Sequence, residues 1–181
     1  PTVHHPGPVD PEKASAVFFV GTGFDERKAL FNGVDWSGID FKLLGYGWNG
    51  FEADTLNPEG VTDNADTARY YHSAAICLNQ HRTTTTWGSG AHIAAGAAES
   101  IGPRAYEIAA CGAFQLCDDS RPEIGEIFGD AAATYRAGDS ADLGRQIRWW
   151  LTHPDARADW QAAQHAAVQP HTWAVRAADI L

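Results

Sequence analysis

The stretch Ser100-Ile-Gly-Pro-Arg-Ala-Tyr-Glu-Ile-Ala-Ala-Cys-Gly-Ala-Phe-Gln-Leu-Cys-Asp-Asp119 decides how this chain folds. Gly102-Pro103 is a breaker pair. Proline in the first helical turn already has the φ a helix needs and lacks only an N–H that would find no partner there. Arg104 to Cys111 therefore predicts about two helical turns, and Gly112 ends them, because glycine takes a left-handed C-cap without steric cost. Ala113 to Cys117 is an apolar run of the length of a buried strand. Asp118-Asp119 then lies just past the strand's carboxyl end, the edge at which ligands bind in open α/β sheets. One unit thus carries Arg104 and Glu107 on a shared helix face and two carboxylates at a strand end.

The flanking sequence repeats this alternation. Ala16 to Val20 is a continuous apolar run, the pattern of a central parallel strand covered on both faces. Gly21-Thr22-Gly23 follows it, and Asp25 predicts the cap of a helix reaching about Gly33. Residues 39–44 predict a second strand, residues 45–64 a long loop with Trp48 and Phe51, and residues 63–71 a helix. Residues 73–78 predict a third strand, with Asn79-Gln-His-Arg82 at its carboxyl end. Residues 83–90 are expected to be loop and 91–98 a helix. After the central unit come a helix over 122–128 with Ser120 as its cap, a fifth strand over 131–135, and helices over 141–152, 154–168 and from Thr172 onward. Leu143, Ile147, Trp150 and Leu151 form one apolar stripe. Strands alternating with helices predict an α/β fold, a Rossmann-like parallel sheet with flanking helices and a C-terminal helical tail.

The chain of 181 residues is long enough for one domain with a substantial core. With 44% hydrophobic and 20% charged residues it is globular in composition. A net charge of −10 argues against a broad basic nucleic-acid face, though not against a local cationic pocket. Cys77, Cys111 and Cys117 lie scattered in apolar segments, as reduced thiols do, and neither disulfide nor zinc spacing is present. There is no apolar run of membrane-spanning length and no signal peptide, so the expected compartment is the cytoplasm. The chain has no Met, and its opening is Pro-rich. Residues 1–15 are therefore expected to be a linker from a missing N-terminal domain, and 16–181 the domain itself.

Each candidate constellation has two readings. Gly21-Thr22-Gly23 between strand and helix can bring backbone N–H groups to a phosphate, or simply make a tight turn. Arg104 and Glu107 form a surface ion pair, or else a ligand pair in which the carboxylate accepts both ribose hydroxyls and the guanidinium grips a diphosphate. His81-Arg82 neutralises phosphate and stabilises a leaving group, or caps the sheet edge. Asp118-Asp119 holds a divalent metal, or caps the helix after Ser120, the second being favoured. No P-loop or Gly-x-Ser-x-Gly elbow is present.

Arg104-Ala-Tyr106-Glu107-Ile-Ala-Ala-Cys111-Gly112, with Cys117-Asp-Asp119 after it and Leu78-Asn-Gln-His81-Arg82 before it, resembles a known family. This is the C-terminal domain of CgeB-like (spore maturation protein) glycosyltransferases of GT-B fold. Phe19-Val-Gly-Thr22 with Arg27, and the tail with His153-Pro154 and His171-Thr-Trp173, carry the likeness over roughly 16–181. The resemblance implies a glycosyltransferase donor half that binds a nucleoside diphosphate sugar such as a UDP-sugar. It places Glu107 on the ribose, Arg82 and Arg104 at the diphosphate, and Gly21, Thr22, Gly23, His81 and Tyr106 beside them. It implies no metal or other cofactor and leaves the catalytic base unassigned. Glu99 and Glu107 have seven residues between them, the spacing of a glutamate pair in some retaining relatives. The resemblance also implies a missing N-terminal acceptor domain and leaves the acceptor open among a glycan, a protein, a small molecule and modified DNA. The alternative is a non-catalytic nucleotide- or sugar-binding or structural module that keeps the half-fold.

Overall fold

The computed structural model describes residues 2–51, 63–82, 84–87, 91–94 and 100–178. In chain order the elements are β1 (Ser15–Val20), α1 (Asp25–Asn32), β2 (Phe41–Leu44), α2 (Asn64–Ser73), β3 (Ala74–Asn79), β4 (Thr84–Trp87) and β5 (Ala91–Ala94). There follow α3 (Pro103–Ala110), β6 (Gln115–Asp118), α4 (Glu123–Phe128), β7 (Thr134–Tyr135), α5 (Ser140–Thr152), α6 (Pro154–Val168) and α7 (Trp173–Ala178). Five strands form one parallel sheet in the order β2-β1-β3-β6-β7. The chain leaves β1 toward β2 on one side and returns to place β3 on the other, so the order reverses between β1 and β3. That reversal opens a crevice at the strands' carboxyl ends.

Alternation along the strands divides the core. Val17 and Phe19 of β1 face α1 and α5, with Leu30, Phe31, Leu143, Ile147 and Trp150. Phe18 faces the opposite side, with Ala68 and Tyr71 of α2 and Ile108 of α3. The expected α5 stripe is correct at Leu143, Ile147 and Trp150, while Leu151 is only half-buried. The third cluster joins Ala105 and Ala109 of α3 to Ile124 and Phe128 of α4 and Val168 of α6. α3 ends as its sequence dictates: Gly112 has φ of 67°, its N–H donates to the Ala109 carbonyl, and Ala113 N–H donates to that of Ile108. This is the Schellman arrangement, and it turns the chain straight into β6.

Several local expectations are corrected. Residues 84–87 and 91–94, read as loop and helix, pair as an antiparallel hairpin with Thr84 opposite Ala94 and Trp87 opposite Ala91. Four threonines and Ile93 favour extended backbone over the helix that the alanines suggested. Helix α1 begins after Phe24, so Asp25 stands in the first turn rather than at the cap. The helix expected over 141–152 begins one residue earlier, at Ser140, and Asp139 caps it by accepting the Asp142 N–H at 2.9 Å. β7 is only two residues long, because Gly129–Ala131 coils into a 3-10 turn first.

Residues 2–14 contain neither helix nor strand, yet they are fastened along α2. The His72 ring bonds the His5 carbonyl at 2.7 Å, Asp10 N–H donates to Ser73 Oγ at 2.8 Å, and Lys13 pairs with Asp66 at 2.8 Å. Pro6 lies against Gly112, just beyond α3.

Candidate functional site

The crevice between β1 and β3 is a cleft of about 450 Å³. Gly21 and Thr22 line it from the end of β1, Asn79 to Arg82 from the end of β3, and Gly102 to Arg104 with Glu107 from the start of α3. Arg27 and Arg121 complete it. Four guanidinium groups thus share one cleft in a chain of net charge −10.

Arg27 is buried on α1 and spans to β3, 53 residues away, donating to Gln80 Oε1 at 2.9 Å, to the Gln80 carbonyl at 2.8 Å and to the Thr22 carbonyl at 3.0 Å. Burial pulls its pKa down to about 10, and the positive charges of Arg104 and Arg82 add to the effect. Arg104 donates to the Val20 carbonyl at the end of β1, and its Nε is buried with no hydrogen-bond partner among the described residues. Arg82 is exposed, with its guanidinium 4.9 Å from the centre of the Phe24 ring. Glu107 is half-buried on the cleft wall, and its carboxylate has no hydrogen-bond partner among the described residues.

The glycines of the β1 loop face a second backbone. Gly21 N–H donates to the Leu44 carbonyl at 2.8 Å, Gly23 N–H to the Tyr46 carbonyl at 2.7 Å, and Trp48 Nε1 to the Gly21 carbonyl at 2.8 Å. A Cβ on Gly23 would lie 2.5 Å from the Gly47 carbonyl oxygen. The β1 and β2 loops therefore run in backbone contact, which only glycine permits. Two of the N–H groups expected to meet a phosphate are spent on this contact.

Asp118 ends β6, and its carboxylate collects the peptide N–H of His81, His81 Nδ1 at 3.1 Å, Ser120 N–H at 3.1 Å and the Ser120 hydroxyl. Burial pushes its pKa up, but the hydrogen bonds and charge of His81, with those of Ser120, outweigh it and hold the carboxyl below its ordinary value. Asp119 accepts the Ala137 N–H at 2.9 Å. The expected helix cap at Ser120 is thus corrected: Ser120 serves Asp118, and Asp118 ties β6 to the end of β3. Among the described residues, no three His, Cys, Asp or Glu side chains are grouped to hold a metal ion.

The sequence profile described as "Glycosyl transferase-like" matches residues 27–181. The chain belongs to the glycosyl transferase-like family. No curated protein sequence matches it. Its fold is shared by GT-B glycosyltransferase domains of low identity. Sucrose-phosphate synthase from Thermosynechococcus elongatus is 15% identical with a TM-score of 0.66, covering 93% of this chain and 44% of its own. The catalytic domain of cholesterol-alpha-glucosyltransferase from Helicobacter pylori is 16% identical with a TM-score of 0.59, covering 87% of this chain and 100% of its own. The C-terminal domain of the group 1 glycosyl transferase LpcC from Francisella tularensis is 12% identical with a TM-score of 0.61, covering 92% and 94%. The chain thus spans less than half the length of the first of these.

In this glycosyl transferase-like domain, Gly21, Thr22, His81, Arg82, Arg104 and Glu107 come together around the cleft. Two expected residues do not. Gly23 faces the β2 loop, and Tyr106 points into the α3–α4–α6 cluster, its ring centre 5.8 Å from that of His171. One helix turn cannot present Tyr106 and its neighbour Glu107 to the same side. His81 lines the cleft but is itself buried, with its imidazole held by Asp118 and beside Cys117. Glu99 lies outside the described residues. Arg27 and Arg121 were missed as cleft residues, and a buried arginine in an apolar helix face was the available signal for the first.

Proposed function

We propose that this domain binds a nucleoside diphosphate sugar in the β1–β3 cleft and acts as the donor half of a glycosyltransferase. One observation carries the reading: guanidinium groups from α1, the β3 loop and α3 converge on the point where strand order reverses, with one carboxylate, Glu107, on the same cleft wall. A diphosphate matches the guanidinium groups in charge and in planar, bidentate geometry. A ribose diol matches Glu107, whose two oxygens accept two hydroxyls. The CgeB-like block around Arg104 and Glu107 supports the same assignment.

When a sugar leaves such a donor, the C–O bond to phosphate breaks and negative charge grows on the diphosphate. Arginines already in place stabilise that charge without reorganising. Arg82 and Arg104 are the groups that would face it, and Arg27 adds positive charge from beneath the loop. The acceptor and the rest of the transfer site belong, in this reading, to a second domain.

Calorimetry with UDP, GDP and TDP on the full chain tests the reading. Arg104→Ala is expected to weaken nucleoside diphosphate binding by at least about tenfold, or about 1.4 kcal/mol, and to shift the thermal midpoint little. Glu107→Gln is expected to weaken the nucleoside diphosphate while leaving inorganic pyrophosphate unaffected. Equal affinity for the diphosphate in Arg104→Ala would refute the assignment. Turnover of a nucleoside diphosphate sugar by the full-length protein then separates transfer from binding alone.

A further inference from the structure

We propose that Asp118 is a positioning residue that aims the guanidinium of Arg82 at the diphosphate. The inference rests on the cleft being a diphosphate site. Its basis is how the loop between β3 and Arg82 is held. Gln80 is gripped through its side chain and its carbonyl by Arg27. His81 is gripped through its peptide N–H and its ring by Asp118. The Arg82 carbonyl accepts from Arg121 Nη2 at 2.8 Å. Every residue of the loop is therefore tied to another element, and the ties end at Arg82, whose side chain lies over Phe24.

Asp118 is the acidic member of this grip. Two carboxylate oxygens accept from four donors, two on His81 and two on Ser120. A carboxamide has one acceptor oxygen, and its NH2 would confront donors. The charge also remains where it is needed, since the donors keep the buried carboxyl ionised at neutral pH. A long arginine side chain loses rotamer freedom when it is immobilised. A backbone already set, with the guanidinium parked on a ring, reduces what the diphosphate must order. Asp118, expected from the sequence to cap a helix rather than to hold a metal, thus acts on anion binding through its neighbour.

Inorganic pyrophosphate, titrated into the full chain by calorimetry, is the probe for a double-mutant cycle of Asp118→Asn and Arg82→Ala. Asp118→Asn alone is expected to weaken pyrophosphate about tenfold, within the range of coupling between residues in one network. In the Arg82→Ala background the same substitution is expected to change nothing. Unchanged affinity in Asp118→Asn overturns the proposal, and so does a loss that multiplies with that of Arg82→Ala, which is the behaviour of a purely structural role. If circular dichroism shows that Asp118→Asn does not fold, His81→Ala takes its place. It strips the ring donor and keeps the hydrogen bond from the residue-81 peptide N–H to Asp118, so a smaller loss is expected, again absent without Arg82. No loss, or a multiplying one, overturns the proposal. Failure of the unmodified chain to bind pyrophosphate and every nucleoside diphosphate overturns the cleft reading itself, and is seen before any variant is made.

Discussion

Gln164 is fully buried on α6, and its amide accepts the Gln115 N–H at 2.9 Å while donating to the carbonyls of Gln115 and Ala131 at 3.1 and 3.0 Å. It holds the start of β6 in place of a strand neighbour. Gln164→Leu keeps the volume but deprives three buried peptide groups, so a loss of about 2 to 4 kcal/mol is expected, read as a lower urea midpoint. An unchanged midpoint would show the amide to be idle. At the same scale, Cys117, His81 and Asp118 have the residue types of a nucleophile, a base and an orienting acid, with Cys117 Sγ 3.9 Å from His81 Nε2. Their surroundings deny that chemistry. Burial, with Asp118 beside it, pushes the Cys117 thiol well above its ordinary pKa, so it stays protonated and inert. Burial thus makes Cys117 the structural thiol that its apolar segment suggests.

Among the elements, the N-terminal strap joins two places that sequence keeps apart. His5 and Pro6 lie along the end of α3 near Cys111 and Gly112, and His4 is close enough to Glu107 and His72 to feel both charges. Burial holds His4 below its ordinary pKa of 6.5; Glu107 opposes this and His72 adds to it. A histidine whose folded pKa is depressed takes up its proton later in the folded chain than in the unfolded one. Its contribution to stability is full above 6.5 and is lost as pH falls through the folded value. Lowering the pH from about 7.5 to about 5.5 is therefore expected to reduce the thermal midpoint more in the native sequence than in His4→Ala. Parallel falls in the two proteins would remove His4 from the cause. The β1 and β2 loops form a second such join. Gly45 has φ of 129°, and a Cβ there would come within 2.1 Å of the Gly21 carbonyl oxygen. The spacing Gly-x-Gly was legible in the sequence, but its partner, a second Gly-x-Gly across the sheet edge, was not.

For the molecule as a whole, net charge and site charge have opposite signs. The chain carries −10, yet the cleft concentrates guanidinium groups, and after burial the nearby charges of Arg104 and Arg82 are what depress the pKa of Arg27. The guanidinium groups of the cleft repel one another, and under the proposed function an anion bound there would relieve this only in the folded state. Pyrophosphate at 100 times its Kd is expected to stabilise the fold by about 2.7 kcal/mol, with a clear upward shift of the thermal midpoint. The shift is expected to shrink in Arg104→Ala at the same concentration. An equal shift in both proteins would place the anion elsewhere.

The sequence by itself determined the class of the fold and the sheet edge that carries the candidate site. Apolar runs at Ala16 to Val20 and Ala113 to Cys117 specify buried parallel strands, because a strand covered on both faces has no polar side to show. The Gly-Pro entry and glycine exit of α3 specify a helix between them, since those signals act within a few residues. Arg82, Arg104 and Glu107 were legible for the same reason: they stand next to strand and helix ends that local chemistry had already located. Tertiary structure alone decided the rest. It turned Tyr106 away from the cleft, paired 84–87 with 91–94 as a hairpin, brought Arg27 to Gln80 across 53 residues, and joined Asp118 to His81 across 37. These are choices between partners distant in the chain, and the free energy that settles them comes from burial and hydrogen bonds that exist only once the sheet has assembled.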